Sequence, residues 1–166
     1  MLRVLLLLPL FGALIVALLP GRNADLIRRA TLAATGVVLV FAWYLLAHFD
    51  PAVAGIQFYE SHAWHARLGS SFSLGVDGFS FPLVLLATLL MPVAVVASGG
   101  VKNGAKLYFS LLLLLETAML GVFMARDWSL FYVFWELTLI PLFFLIDRLG
   151  GVNRQRRQKA ALNFVL

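Results

Sequence analysis

Two carboxylic acids, Glu116 and Glu136, stand well inside long apolar runs of this 166-residue chain; the other six acidic residues lie in hydrophilic segments or at the edges of apolar ones. An acidic side chain near the centre of a membrane-crossing helix costs about 2.5–3.5 kcal/mol on insertion scales, so it must face protein or water and have a partner or a proton. The chemistry this suggests is proton relay. Glu136 has the richer surroundings: Tyr132 and Ile140 share its helical face at i−4 and i+4, Trp135 precedes it, and Pro141 follows. Pro141 lacks the N–H that would bond the carbonyl of Leu137, leaving an acceptor for water or a polar side chain one turn beyond the carboxyl. A nearby Lys or Arg would favour the ionised acid and its withdrawal the protonated one, so a movable cation would make Glu136 release and take up a proton. The structural alternative is a hydrogen-bonded packing group between helices. For Glu116, flanked by Leu112, Leu113, Met119 and Leu120 with only Thr117 as polar company, the packing and proton-holding readings stay equally open.

Other chemistries find less support. Glu60, His62 and His65 lie close together in one hydrophilic segment but have no convincing fourth ligand, so no metal site is assigned and the segment reads as an interfacial loop with Phe58, Tyr59 and Trp64 at headgroup level. There is no cysteine, which excludes disulfides and any cluster ligated by this chain's own thiolates. No GxxxxGK and no strand-linked GxGxxG supports nucleotide binding. The run Phe131, Tyr132, Phe134, Trp135 reads as packing surface.

The elements that must position the two acids are membrane helices. Hydrophobic residues make up 62 % of the chain and charged ones 13 %, far from the balance of a water-soluble domain. Apolar runs long enough to approach a hydrocarbon core of ~30 Å fall at about 4–19, 30–49, 79–98, 107–125 and 128–146. The expected fold is all-α: a polytopic bundle of five transmembrane helices plus the start of a sixth, forming a single membrane domain over residues 1–166. The first run is read as a retained span, because Arg22, Arg28 and Arg29 follow it, the reverse of a signal peptide. Five alternating spans put Arg3, Arg67 and Arg126 on one side. Arg22, Arg28, Arg29, Lys102, Lys106, Arg148, Arg154, Arg156, Arg157 and Lys159 fall on the other, so the N-terminus is expected outside. Beside spans, these basic residues orient the chain and meet lipid headgroups; no nucleic-acid partner is implied. Residues 50–77 form an external loop, with Asp77-Gly78 as a turn and Asp77 as N-cap of the third helix. Pro82 and Pro92 break ladder bonds there, freeing the carbonyls of Gly78 and Thr88. The run Ala160–Leu166 rises only ~10 Å as helix, as expected of the front portion of a longer polytopic protein.

The stretch from Gly121 through Arg126 and Asp127, followed by Leu130 to Pro141 with Trp135-Glu136 at its centre, resembles chain M of the proton-pumping NADH–quinone oxidoreductase, respiratory complex I. Gly75 to Ser80 resembles that family's approach to the third span, and Asp147 to Gly151 with the basic loop resembles its fifth-to-sixth connection. The resemblance covers most of residues 72–166. It implies an antiporter-like subunit of about fourteen helices with inverted five-helix repeats, in the bacterial inner membrane beside other membrane-arm subunits, with NADH, FMN, iron–sulfur clusters and quinone held by other subunits. It further implies that Glu136 pairs with a lysine on the seventh helix, with further lysines or histidines connecting the half-channels. No Lys or Arg lies in the interior of the five runs, so that partner is expected on other chain, and the fragment alone is not expected to pump. Glu116 takes no role from the resemblance. A multisubunit cation/proton antiporter, a membrane-bound hydrogenase and an inactive truncated scaffold are the alternatives.

Overall fold

The computed structural model describes residues 1–21, 23–65, 70–150 and 154–165. Among these residues six helices form: α1 (Leu2–Leu18), α2 (Ala24–Leu46), α3 (Ser80–Ala97), α4 (Ala105–Met124), α5 (Trp128–Leu149) and α6 (Arg154–Val165). Each of the five long apolar runs therefore becomes a helix. Four of them, α2 to α5, are long and apolar enough to cross a membrane. The 17 residues of α1 rise only about 26 Å, a little less than a typical hydrocarbon thickness. Helix α2 starts six residues earlier than its apolar run because Asn23 caps it, its side chain accepting from the Leu26 N–H at 3.1 Å. Arg28 and Arg29 thus lie on the first turns of α2 and not in a loop. Arg22 and Arg67 fall outside the described residues.

The all-α expectation is corrected in the segment between α2 and α3. Residues Gln57–His65 (β1) and Ser70–Val76 (β2) pair as an antiparallel hairpin, with Glu60 opposite Leu74 and His62 opposite Phe72. The physical reason is period-two alternation: Phe72, Leu74 and Val76 alternate with Ser71, Ser73 and Gly75, a pattern that suits a half-buried strand and is too short to register as a span. The register is interrupted twice, and Phe58, in the first irregularity, adopts a positive φ of 53°.

Helix α4 is the axis of the bundle, packing against α1, α2, α3 and α5. Two apolar clusters surround it. At the hairpin end, Leu120 and Met124 meet Leu5, Val38, Leu74, Val84 and Phe134. At the opposite end, Phe109 and Leu113 meet Val16, Ile27 and Val95. Close helix approach depends on small residues: a Cβ on Gly12 would lie 2.8 Å from the Ala34 Cβ, which brings α1 tightly against α2. Pro82 sits in the first turn of α3, where N–H groups have no helical partner, so the expected break there does not arise. Pro92, in contrast, lies inside α3.

Candidate functional site

Helix α5 positions Glu136, and its start is fixed by Asp127. One carboxylate oxygen of Asp127 accepts from the N–H groups of Ser129 (2.9 Å) and Leu130 (3.2 Å), and the other accepts from the Ser71 N–H of β2 at 3.1 Å. One residue therefore both caps α5 and joins it to the hairpin. The helix then leans on α4 through Phe134, whose ring occupies the space that any side chain at Gly121 would need. With Leu130 and Phe134 turned into the core, the residues on the other side of α5 must face outward: Tyr132, Val133, Trp135 and Ile140 are all exposed.

Glu136 belongs to that outward face. Its carboxyl lies near the Tyr132 hydroxyl one turn back, as the i−4 spacing predicts. Towards the other end it borders a groove of about 380 Å³ lined by Leu139, Ile140, Phe143 and Phe144. Pro141 lies buried inside the helix, where the missing N–H leaves the Leu137 carbonyl without its ladder partner. Carboxyl and phenol thus share the face that α1 to α4 do not cover, whereas Leu137 packs against the core and Pro141 is buried.

Glu116 has the opposite setting. It is fully buried on α4, and neither carboxyl oxygen has a hydrogen-bond partner among the described residues. The structure separates the two acids: one is enclosed within the bundle and the other is presented on its exterior.

A polar latch at the hairpin end escaped the sequence reading. The Arg126 guanidinium pairs with the Asp77 carboxylate at 2.9 Å and donates to the Gly75 carbonyl (3.2 Å) and the Ser80 hydroxyl (2.9 Å). Its backbone N–H donates to the Ser73 carbonyl at 2.9 Å, beside a bridge between Leu74 and Ala125. Asp77 itself accepts from the N–H groups of Ser80 (2.8 Å) and Phe79 (3.1 Å), so its expected capping role is realised. The Ser80 N–H bond is the largest influence on the Asp77 carboxyl; with the Arg126 charge it outweighs partial burial and lowers the pKa to about 2. Bonds from Ser71 and then Leu130 likewise hold Asp127 below the ordinary carboxylate range. The available signal was the Arg126-Asp127 pair between two apolar runs, read together with Asp77 and Ser80.

Of the trio Glu60, His62 and His65, Glu60 is drawn to the chain's own N-terminus: it accepts from the Met1 amino group and the Leu2 N–H, and pairs with Arg3 at 2.9 Å. Burial opposes ionisation of Glu60, but the amino group, Leu2 and Arg3 together hold its pKa below the ordinary value. The Arg3 guanidinium also meets the His62 ring. The side chain of His65 falls outside the described residues, and among the described ones no group of three His, Asp or Glu could hold a metal ion.

Comparison with known proteins supplies the family. Residues 5–125 match the family model described as NADH-ubiquinone oxidoreductase chain 4, amino terminus. NAD(P)H-quinone oxidoreductase chain 4 1 of Synechococcus elongatus is 39 % identical over 165 residues, which cover 98 % of this chain and 30 % of that protein. F(420)H(2) dehydrogenase subunit M of Methanosarcina mazei is 40 % identical over 125 residues, covering 75 % of this chain and 24 % of that one. In three dimensions a chain of respiratory complex I from Thermus thermophilus superposes with a TM-score of 0.79 at 27 % identity, over 94 % of this chain and 31 % of its own length. The chain thus spans about a third or less of the relatives it matches. With most of its length matched by the family model and its helices by a complex I chain, this multi-pass membrane protein belongs to the NADH-ubiquinone oxidoreductase chain 4 family.

Proposed function

We propose that this chain is the front part of a proton-translocating membrane-arm subunit of an NADH–quinone oxidoreductase, with Glu136 as a proton-transferring group. The observation that carries the reading is the position of Glu136 on the uncovered face of α5, beside the Tyr132 hydroxyl and a groove, in a bundle with no Lys or Arg at its level. A carboxyl at that depth is costly against acyl chains and becomes useful against a protein surface that brings a cation and water. The cation comes from helices outside α1 to α5. Its approach favours the carboxylate and its withdrawal the protonated acid, so movement driven by quinone reduction elsewhere in the complex shuttles protons through Glu136. NADH oxidation and the associated cofactors belong to other subunits, and neighbouring antiporter-like subunits are the partners.

In this reading α1 is a fifth span with the N-terminus outside, in the bacterial inner membrane. Ten of the thirteen basic residues then face the cytoplasm. The identity to F(420)H(2) dehydrogenase subunit M favours a second reading, in which the same membrane chemistry serves a different electron donor. The genes beside this one discriminate: subunits for NADH oxidation support the first, and a different electron-input subunit the second.

Glu136→Gln in the full-length protein tests the role of the acid, since it removes the titratable group and keeps the volume. Assembly should persist and proton pumping, followed by a pH-sensitive dye in vesicles, should be largely lost. Wild-type pumping by the assembled variant overturns the assignment.

A further inference from the structure

Between its two apolar clusters the bundle contains a polar layer. The clusters lie towards opposite ends of α4, and Glu116 and Thr117 stand between Leu113 of one and Leu120 of the other. At the same level α2 contributes Thr35, halfway between Ala24 and Leu46, and α3 contributes Thr88, halfway between Ser80 and Ala97. All four side chains are buried. Each threonine hydroxyl donates to its own helix: Thr35 to Leu32 at 3.2 Å, Thr88 to Leu85 at 2.9 Å and Thr117 to Leu113 at 3.0 Å. Their hydrogens are committed, and their oxygens remain as acceptors. Pro92 adds one more acceptor by withholding the N–H that would bond the Thr88 carbonyl.

At the level of these acceptors stands one buried acid with no hydrogen-bond partner among the described residues. No counter-charge stands at its level. Arg3 lies in the first turn of α1, Asp25, Arg28 and Arg29 in the first turns of α2, and Lys106 in the first turn of α4; Tyr44 and Tyr108 lie near helix ends, α3 has no ionisable residue, and Glu136 faces away on α5. An ionised carboxylate here would carry a buried charge with neither ion pair nor hydrogen bond, the most costly arrangement for such a group. A neutral carboxylic acid has one O–H to donate, and the layer at its level contains acceptors. A buried water needs two to four polar partners, a number that the layer contains in the acid, the Thr88 carbonyl and the threonine oxygens.

We propose that Glu116 is a second proton-holding carboxyl, kept neutral in a hydrated threonine layer at the middle of the bundle and separate from the Glu136 groove. Its contribution to pumping rests on the functional reading above, whereas its possession of a proton does not. The test is infrared spectroscopy of the full-length protein in its assembled complex at neutral pH. The wild-type minus Glu116→Gln difference should contain a carboxylic-acid C=O band that moves in D2O, and Thr88→Val should perturb that band. Glu116→Asp should shift it and carries the test alone if the glutamine variant does not assemble. A difference spectrum without a protonated-acid band, or an aspartate variant with an unmoved band, overturns the proposal. Glu136→Gln measured in parallel separates the two ideas. Pumping retained in that variant with the Glu116 band present sinks the functional reading alone; pumping lost with no Glu116 band sinks this inference alone.

Discussion

Asp77 and Arg126 are fastened by geometry that neither residue type announces by itself. The Asp77 carboxyl is ionised well below its ordinary value of 3.8, to about 2, because it accepts from Ser80 and faces the Arg126 guanidinium. A carboxyl whose pKa is lowered by folding stabilises the fold fully above its unfolded pKa, and that contribution disappears as pH falls towards the folded value. The hairpin should therefore hold its attachment above pH 3.8 and loosen as the pH falls towards 2, the window set by those two values. Amide hydrogen exchange of residues 70–80 in the full-length protein checks this, with Asp77→Asn expected to flatten the pH dependence. At the same scale, both membrane acids were legible in the sequence, since a carboxyl inside an apolar run is conspicuous. Their relative burial was not. Periodicity on α4 is blurred because nearly every face of that central helix is covered, so nothing in the sequence marked Glu116 as the enclosed acid and Glu136 as the outward one.

Elements were legible wherever hydrophobicity was continuous. All five long helices form where apolar runs predicted them, and the errors lie at their ends, where a cap such as Asn23 decides the first turn and hydropathy does not. The hairpin was missed because its apolar residues alternate, and the signal of a short strand is faint beside that of a span. Asp127 shows how much one terminal residue can decide. Asp127→Ala removes the two cap bonds of α5 and the bond to Ser71, at a cost of about 0.5–2 kcal/mol for the cap alone. The expected result is faster proteolysis of the hairpin and lower thermal stability, with Asp127→Asn intermediate because its one amide oxygen keeps the cap bonds while its NH2 cannot accept from the Ser71 N–H. Equal loss in both variants would show that the charge, and not the cap, is what matters.

For the whole molecule the proposed orientation rests on the basic residues, and single cysteines test it, since residues 1–166 contain none of their own. A cysteine at Ser61 in the hairpin should react with a membrane-impermeant maleimide from outside the cell. One at Asn103, between α3 and α4, should react only after permeabilisation. Reversed labelling would invert the topology. A cysteine at Ile140, on the outward face of α5, should be protected in the complete protein, where further helices cover Glu136.

The latch also imposes an order of events on biogenesis. Gly75 and Arg126 are 51 residues apart in the chain, with both α3 and α4 between them. As the chain is threaded, the strands emerge first and wait with an unmatched edge until a later hydrophobic segment delivers its anchoring turn to the same surface. A ribosome stalled before codon 126 would therefore leave a ribbon held only at its first strand, through Glu60 and the N-terminal residues, a natural substrate for proteases and chaperones.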